Sequence, residues 1–207
     1  MKIFAVRDED NTTNKAVAYL FYYEKEKRFY IELPEEADPW ETPLILSSFL
    51  KKGQKTISAY WSRIWVQQRI VPSDRQNLGM ILRDNGLDFY DEYKLLTMTN
   101  GRCSQDSYYL EPKDLPKEFV KRNQQKVEDV IPLPENQLLV FFRDGCVKKR
   151  DLVQLASTDK RFAPVLRNEN TFRAVNVETD GYGICWGENL CIECGKLYAA
   201  GKKVPLS

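Results

Sequence analysis

Residues 138–151 read LLVFFRDGCVKKRD, and this stretch decides how the second half of the chain folds. Asp144-Gly145 lies between two runs that are rich in β-branched and aromatic residues. Asp-Gly favours the tight turn that joins two antiparallel strands. The stretch therefore predicts a β-hairpin of residues 138–143 with residues 146–151.

The residues around this hairpin predict further strands and short helices. A β-rich run at 127–131 ends at a proline, and residues 152–166 are typical of a short helical segment. Residues 172–177 alternate between apolar and polar side chains, which indicates a strand. A glycine-containing turn at 181–183 then leads into another apolar run, 184–186. The second half is thus predicted to be an antiparallel sheet with short helices.

The first half predicts a hairpin followed by helices. Two aromatic, β-branched runs, 16–23 and 29–33, flank the charged break 24–28. A helix is predicted over 73–84, because Ser73 and the glutamine three residues later form a capping-box pattern. Aromatic and aliphatic residues at helical spacing predict a second helix over 88–96.

A polar, proline-interrupted stretch at residues 112–122 separates the two halves. We place the domain boundary there, with one module over 1–122 and another over 123–207. The chain of 207 residues is long enough to bury a core in each module. The predicted fold class is therefore α+β, with two small domains.

Composition excludes several kinds of catalysis. The chain has 31 basic and 30 acidic residues and contains no histidine. Without histidine, Ser-His and Cys-His nucleophiles and imidazole general bases cannot form. The glycine-rich loops that bind phosphate are also missing from the sequence. We therefore expect a protein that is not an enzyme and that uses no cofactor.

The termini and cysteines predict a cytoplasmic protein without membrane contact. The apolar run near the N-terminus is four residues long, too short for the core of a signal peptide. No apolar stretch approaches the roughly 20 residues that span a bilayer. The five cysteines are odd in number, which favours reduced thiols in a chain without a secretory signal.

Cys191 and Cys194 form a C-x-x-C pair, with Cys185 close upstream. Such spacing can bring two thiolates to one zinc ion. However, a second C-x-x-C pair is absent from the sequence and no histidine can complete the site. Ordinary reduced cysteines are therefore the favoured interpretation, and a zinc site of Cys185, Cys191 and Cys194 is the weaker alternative.

A basic aromatic segment is the strongest candidate for binding. Its candidate residues are Trp61, Arg63, Trp65, Arg69 and Arg75. Aromatic and guanidinium groups together can stack on bases and contact phosphates. The alternative is that the two tryptophans, four residues apart, form the packing face of an amphipathic helix.

The second half resembles domain-of-unknown-function family 2442 over about residues 125–200. The resemblance rests on an ordered series of short matches: Val127–Pro134, Leu138–Gly145, Asp151-Leu152, Phe162–Leu166, Phe172–Val175, Gly183–Trp186 and Leu197-Tyr198. It implies a small α+β domain, with an antitoxin-like or regulatory role, because some members are encoded beside toxins. The family has no established catalytic residues.

The first half is similar to the N-terminal subdomain of HipA-type toxin kinases. The similarity covers Trp65–Pro72, Asp74-Arg75, Leu78-Gly79, Ile81-Leu82, Asp91–Tyr93, Leu95-Leu96 and Gly101-Arg102. In that family the segment is a non-catalytic module, and a stand-alone version can act as an antitoxin. The kinase core has no counterpart in this sequence.

Two functions follow as hypotheses. The first is a non-enzymatic bacterial regulator, antitoxin-like, that contacts a partner protein; the abundant aromatic residues supply interface area at low entropic cost. The second is a nucleic-acid-binding regulator that uses the segment from Trp61 to Arg75.

Overall fold

The computed structural model describes residues 1–11, 13, 15–187 and 190–204. The chain divides into two compact units, Met1–Pro116 (unit 1) and Lys117–Ser207 (unit 2). The last three residues of the predicted second domain lie outside the described residues. The division falls six residues before the predicted boundary, because helix α5 (Glu118–Gln124) joins unit 2. The Asp144 amide donates to the carbonyl at the end of this helix (2.9 Å).

Unit 1 contains a five-stranded antiparallel sheet with the order β4-β3-β2-β1-β5. Its strands are β1 (Lys2–Asp8), β2 (Ala18–Tyr23), β3 (Arg28–Glu32), β4 (Thr56–Ile57) and β5 (Tyr108–Pro112). The predicted first hairpin is confirmed as β2 and β3, in which Phe21 lies opposite Tyr30. The edge strand β5 pairs with β1 and comes from the far end of the unit.

Unit 1 also contains the helices α1 (Leu44–Leu50), α2 (Ala59–Gln67), α3 (Leu78–Asp84) and α4 (Glu92–Met98). Of these, α1, α2 and α4 pack residues against one face of this sheet. Trp65 and Val66 of α2 pack into the core of unit 1. The buried Ser62 hydroxyl accepts from the Ile31 amide (2.8 Å) and donates to the Ile57 carbonyl (3.2 Å). It therefore fixes α2 to β3 and β4.

Two predicted helices begin later than expected. Residues 73–77 form turns and α3 begins at Leu78, so the capping-box prediction at Ser73 is wrong. Helix α4 begins after Asp91, whose carboxylate accepts from the Lys94 amide (3.0 Å). This hydrogen bond satisfies a backbone donor of the first turn and so places the start of the helix four residues after the predicted one.

In unit 2, a four-stranded antiparallel sheet has the order β12-β8-β7-β6. The strands are β6 (Val127–Leu133), β7 (Gln137–Phe142), β8 (Val147–Asp151) and β12 (Lys202–Lys203). The predicted Asp-Gly hairpin is confirmed as β7 and β8. Gly145 has a φ of 78°, and the Asp144 carboxylate accepts from the Cys146 amide (2.9 Å), which closes the turn.

A second, three-stranded antiparallel sheet in unit 2 has the order β11-β10-β9. It consists of β9 (Asn176–Val177), β10 (Gly183–Trp186) and β11 (Leu190–Glu193), and helices α6 (Leu152–Thr158), α7 (Ala163–Leu166), α8 (Glu169–Arg173) and α9 (Cys194–Ala200) complete the unit.

The predicted strand over 172–177 is wrong for its first residues, because Phe172 belongs to α8. The Trp186 indole donates to the Phe172 carbonyl (3.0 Å) in the interior. Helical segments within 152–166 are confirmed.

The α+β class is confirmed, since both units combine antiparallel sheets with helices. Among the described residues, no helix combines the length and the apolar character that crossing a membrane requires.

Asp180 connects separate parts of unit 2. Its carboxylate pairs with Lys126 (2.7 Å), just before β6, and with Arg143 (2.7 Å), at the end of the β7 strand. Lys126 is buried, and its ammonium lies 3.6 Å from the centre of the Tyr182 ring. The desolvated ammonium requires this countercharge, so Asp180 holds the turn at 179–182 against the first sheet.

We expect Asp180→Asn to lower the free energy of unfolding of unit 2 by about 2–3 kcal/mol, because the buried Lys126 ammonium loses its ion pair with the Asp180 carboxylate. Asparagine tolerates the backbone φ of 50° at this position, so the backbone cost is small. Urea unfolding monitored by hydrogen exchange of peptides from unit 2 measures the change. The control Glu169→Gln breaks an exposed pair with Arg173 and should cost less than about 0.5 kcal/mol. Equal effects of the two substitutions would contradict this account of Asp180.

Candidate interaction surface

Two of the five predicted binding residues are buried in the interior of unit 1. Trp65 is 1% exposed and Arg69 is 6% exposed. The Arg69 guanidinium carbon lies 4.0 Å from the centre of the Trp65 ring, so the two side chains stack on each other. Neither offers a face to an external base or phosphate. The burial of Trp65 agrees with the predicted packing face, but the residue buried beside it is Arg69, whereas Trp61, expected on the same face, is 41% exposed.

Arg69 is bound by an acidic residue from a distant loop. Its two terminal nitrogens donate to both carboxylate oxygens of Asp106 (3.0 and 2.7 Å), and Nη1 lies 3.1 Å from the Cys103 sulfur. Burial raises the pKa of Asp106, but the Arg69 hydrogen bonds and charge, with the Tyr108 amide, outweigh it and leave the pKa lowered. Arg69 thus fixes the end of α2 to the loop before β5.

Arg63 and Arg75 reach the surface, but both have partners within unit 1. The Arg63 Nε donates to both carboxylate oxygens of Glu92 (3.0 and 2.9 Å), and Gln67 donates to the same carboxylate (2.8 Å). The hydrogen bond to Glu92 raises the pKa of Arg63. Arg75 Nε donates to the Asn77 side chain (2.9 Å). The five predicted residues therefore do not form one continuous binding face.

Trp61, in contrast, belongs to an exposed group of apolar side chains. Its ring contacts Phe49 of α1 edge-on (centroids 5.6 Å apart) and contacts Tyr60 in the same manner (5.3 Å). Trp61 is 41% exposed and Tyr60 is 63% exposed. Because α1 and α2 meet at these rings, the first turn of α2 presents aromatic side chains to solvent.

Two further apolar side chains of unit 1 are more exposed still. Trp40 is 88% exposed and Leu44, the first residue of α1, is 89% exposed. The Lys51 ammonium lies 5.3 Å from the centre of the Trp40 ring, and Lys51 directly follows α1. We call these residues the aromatic surface: Trp40, Leu44, Phe49, Lys51, Tyr60 and Trp61.

Trp40 and Leu44 are not among the binding residues predicted from the sequence. Both lie in a proline-interrupted segment, where no periodic pattern assigns an apolar residue to a core. A tryptophan directly after Pro39, with no helical or strand-like repeat around it, was the available signal. Exposed large apolar groups that cluster are characteristic of contact sites, whereas single ones are ordinary.

Two of the cysteines form a disulfide, so the expectation of reduced thiols is wrong for Cys185 and Cys191. They lie directly opposite each other on β10 and β11. Cys194, the third residue of the alternative zinc site, is buried among core residues at the start of α9. Successive side chains of a strand point to opposite faces, so the C-x-x-C spacing separates Cys191 from Cys194 here.

None of the known protein-family models, curated proteins or solved structures matches this chain. The resemblances of its two halves to family 2442 and to the HipA N-terminal subdomain stay predictions.

The Arg69–Asp106 pair makes unit 1 sensitive to acid. The pKa of Asp106 is lowered from its ordinary 3.8 in the folded chain, so the pair stabilises unit 1 fully above that value. We expect this contribution to be lost as the pH falls through the lowered pKa. Asp106→Asn should lower the free energy of unfolding of unit 1 by about 2 kcal/mol at pH 7. It should also remove the part of the pH dependence of this free energy that comes from Asp106. Unfolding followed by tryptophan fluorescence between pH 7 and 2 measures both effects.

Asp114→Asn is the matched control, because Asp114 is an exposed carboxylate of the same unit. It should leave both the stability at neutral pH and the acid dependence unchanged. An acid dependence that Asp106→Asn leaves unaltered would contradict the role of this pair.

Proposed function

We propose that the protein is a non-enzymatic binding protein whose unit 1 engages a partner protein through the aromatic surface. The observation that carries this proposal is the nearly complete exposure of Trp40 and Leu44, in the same unit as the exposed, mutually contacting rings of Tyr60 and Trp61. With the resemblances of both halves to toxin–antitoxin modules, it favours an antitoxin-like regulator.

The aromatic surface has the composition of an interface centre. Tryptophan and tyrosine are enriched where binding energy concentrates. Burying one tryptophan side chain removes about 200 Å² from water, which contributes about 5 kcal/mol before entropic costs. Trp40 and Leu44 make this contribution only when another molecule covers them, because the chain leaves them exposed.

Basic residues outnumber acidic ones along α1 and α2, whereas the exposed Asp38 and Glu41 flank Trp40. From Thr42 to Ser73 the chain has five basic residues and no acidic one. Within unit 1, Lys55 pairs with Glu35, Arg63 with Glu92 and Arg69 with Asp106. Lys51 and Lys52 are exposed at the end of α1. The complementary partner is a protein with an apolar pocket for Trp40, bordered by carboxylates that face these lysines.

We expect the tagged full chain to bring down one protein in about equimolar amount from its native host, and the double variant Trp40→Ala/Leu44→Ser to lose it. The control Met80→Ser changes a side chain of α3 that is 51% exposed, and should retain the partner. With the purified partner, calorimetry should show at least about 30-fold weaker binding for the double variant, or about 2 kcal/mol. A partner that the double variant retains would overturn the proposal.

Nucleic-acid binding is the alternative, and the same surface allows a direct test. Two exposed lysines would neutralise few phosphates, so affinity for single strands should be weak and only slightly dependent on salt. We expect no binding of a labelled single-stranded oligonucleotide at 50 mM salt in a fluorescence anisotropy titration. Tight binding that falls steeply with salt, and that Trp61→Ala weakens, would instead favour the nucleic-acid hypothesis.

A further inference from the structure

The three-stranded sheet of unit 2 has one face against the core and one face that carries sulfur and carboxylate groups. Ile184, Trp186 and Ile192 belong to the core cluster. Cys185 and Cys191 occupy the alternate positions of the same strands, so their side chains point to the opposite face.

Glu178 reaches the same face from the third strand. It directly follows β9, and its amide donates to the Gly183 carbonyl (2.9 Å), which keeps it in register with β10. Residue 183 has no room for a side chain, because a Cβ there would lie 2.2 Å from the Ile192 carbonyl oxygen. The glycine therefore lets the β11 backbone approach closely at the position opposite Glu193.

These three side chains bring their ligand atoms together. One carboxylate oxygen of Glu178 and the sulfurs of Cys185 and Cys191 all lie within 4.8 Å of one another. In a tetrahedral zinc site, Zn–S is about 2.3 Å and Zn–O about 2.0–2.2 Å, so ligand atoms lie about 3.3–3.8 Å apart. Because the two sulfurs are bonded to each other in the disulfide, they can reach this spacing only after reduction lets them move apart. Cys185 is buried and the other two residues are half-buried, which limits competition from water.

We propose that reduction of the Cys185–Cys191 disulfide converts this face into a binding site for a thiophilic divalent cation, with Zn²⁺ as the best match. Cys185, Cys191 and Glu178 are its protein ligands, and a water molecule takes the fourth position. Two thiolates favour zinc over magnesium or calcium, which prefer oxygen ligands throughout.

The chemistry balances with a dithiol as the reductant. The reductant transfers two electrons and two protons to the disulfide, its own sulfurs become a disulfide, and Cys185 and Cys191 become thiols. The cation then displaces the two thiol protons, which pass to water, and binds the thiolates. The disulfide and the metal thus compete for the same two sulfurs, so the oxidation state of the hairpin controls metal binding.

The strand geometry shows how this site differs from the alternative zinc site of Cys185, Cys191 and Cys194. The Cys191 and Cys185 Cα atoms are 4.1 Å apart, the close spacing of a cross-strand pair without mutual backbone hydrogen bonds. Cys194 lies beyond the end of β11 and its side chain packs in the core. The proposed site therefore excludes Cys194 and includes Glu178, which the sequence spacing does not suggest.

Cobalt titration of the full chain tests the site, because Co²⁺ bound by thiolates gives charge-transfer and ligand-field absorption. We expect one Co²⁺ per chain after reduction, displaceable by Zn²⁺, and none bound by the oxidised chain. Cys185→Ser and Cys191→Ser should each weaken binding at least about 100-fold, and Glu178→Gln at least about tenfold. The controls Cys194→Ala and Cys146→Ser should leave the affinity unchanged.

A second measurement uses the unaltered sequence, so that it does not depend on variants that fold. Equimolar Zn²⁺ should slow reformation of the Cys185–Cys191 disulfide by an added oxidant at least about tenfold, as followed by mass spectrometry. A reduced chain that binds no Co²⁺, an unchanged rate of reoxidation, or a loss of affinity in Cys194→Ala as large as in Cys185→Ser would overturn the proposal. The site lies in unit 2, so its failure leaves the proposed function of unit 1 untouched.

Discussion

The ion pair between the buried Arg69 and the partly exposed Asp106 is the contact that holds the end of α2 in unit 1. A guanidinium in the interior needs a countercharge, and Asp106 supplies it from 37 residues further along the chain. Stacked on Trp65, Arg69 fixes the last turn of α2 in the core. In the first turn of the helix, Ser62 is buried while its neighbours Tyr60 and Trp61 are exposed.

In unit 2 the corresponding constraint is the alternation of side chains along β10 and β11. Alternation places Ile184 and Ile192 in the core and forces Cys185 and Cys191 onto the other face. Asp180 pairs with Lys126 and Arg143 and so holds the turn at 179–182, which comes just before β10. Glu178 directly precedes this turn, and its carboxylate lies near the two sulfurs. Strand alternation and the ion pairs of Asp180 together therefore account for the grouping of Cys185, Cys191 and Glu178 on this face.

The two proposals rest on different physical effects and on different units. Protein binding by unit 1 draws on apolar area that the chain leaves exposed, so its strength follows from burial and shape. Metal binding by unit 2 draws on the reduction of one disulfide, so it responds to the redox conditions around the protein. A regulator with both properties would bind its partner through one unit and register the redox state through the other.

How much could be predicted from the sequence depended on the range of the interactions involved. The α+β class and both hairpins followed from local patterns, because the Asp144-Gly145 turn is formed by neighbouring residues. The start of α3 did not, because residues 73–77 take up successive turns before the helix begins at Leu78. The strand expected at Phe172 gave way to α8, whose Asn168 cap satisfies the Thr171 amide.

For the candidate sites, the sequence by itself determined which chemical groups the chain carries: aromatic and basic side chains near residue 60, cysteines near residue 190 and no histidine. Only the tertiary structure decided that Trp65 and Arg69 are buried while Trp40 and Trp61 are exposed, and that Cys191 faces Cys185 in place of Cys194. The physical reason is that exposure and pairing depend on contacts between residues far apart in the chain, which local spacing does not encode.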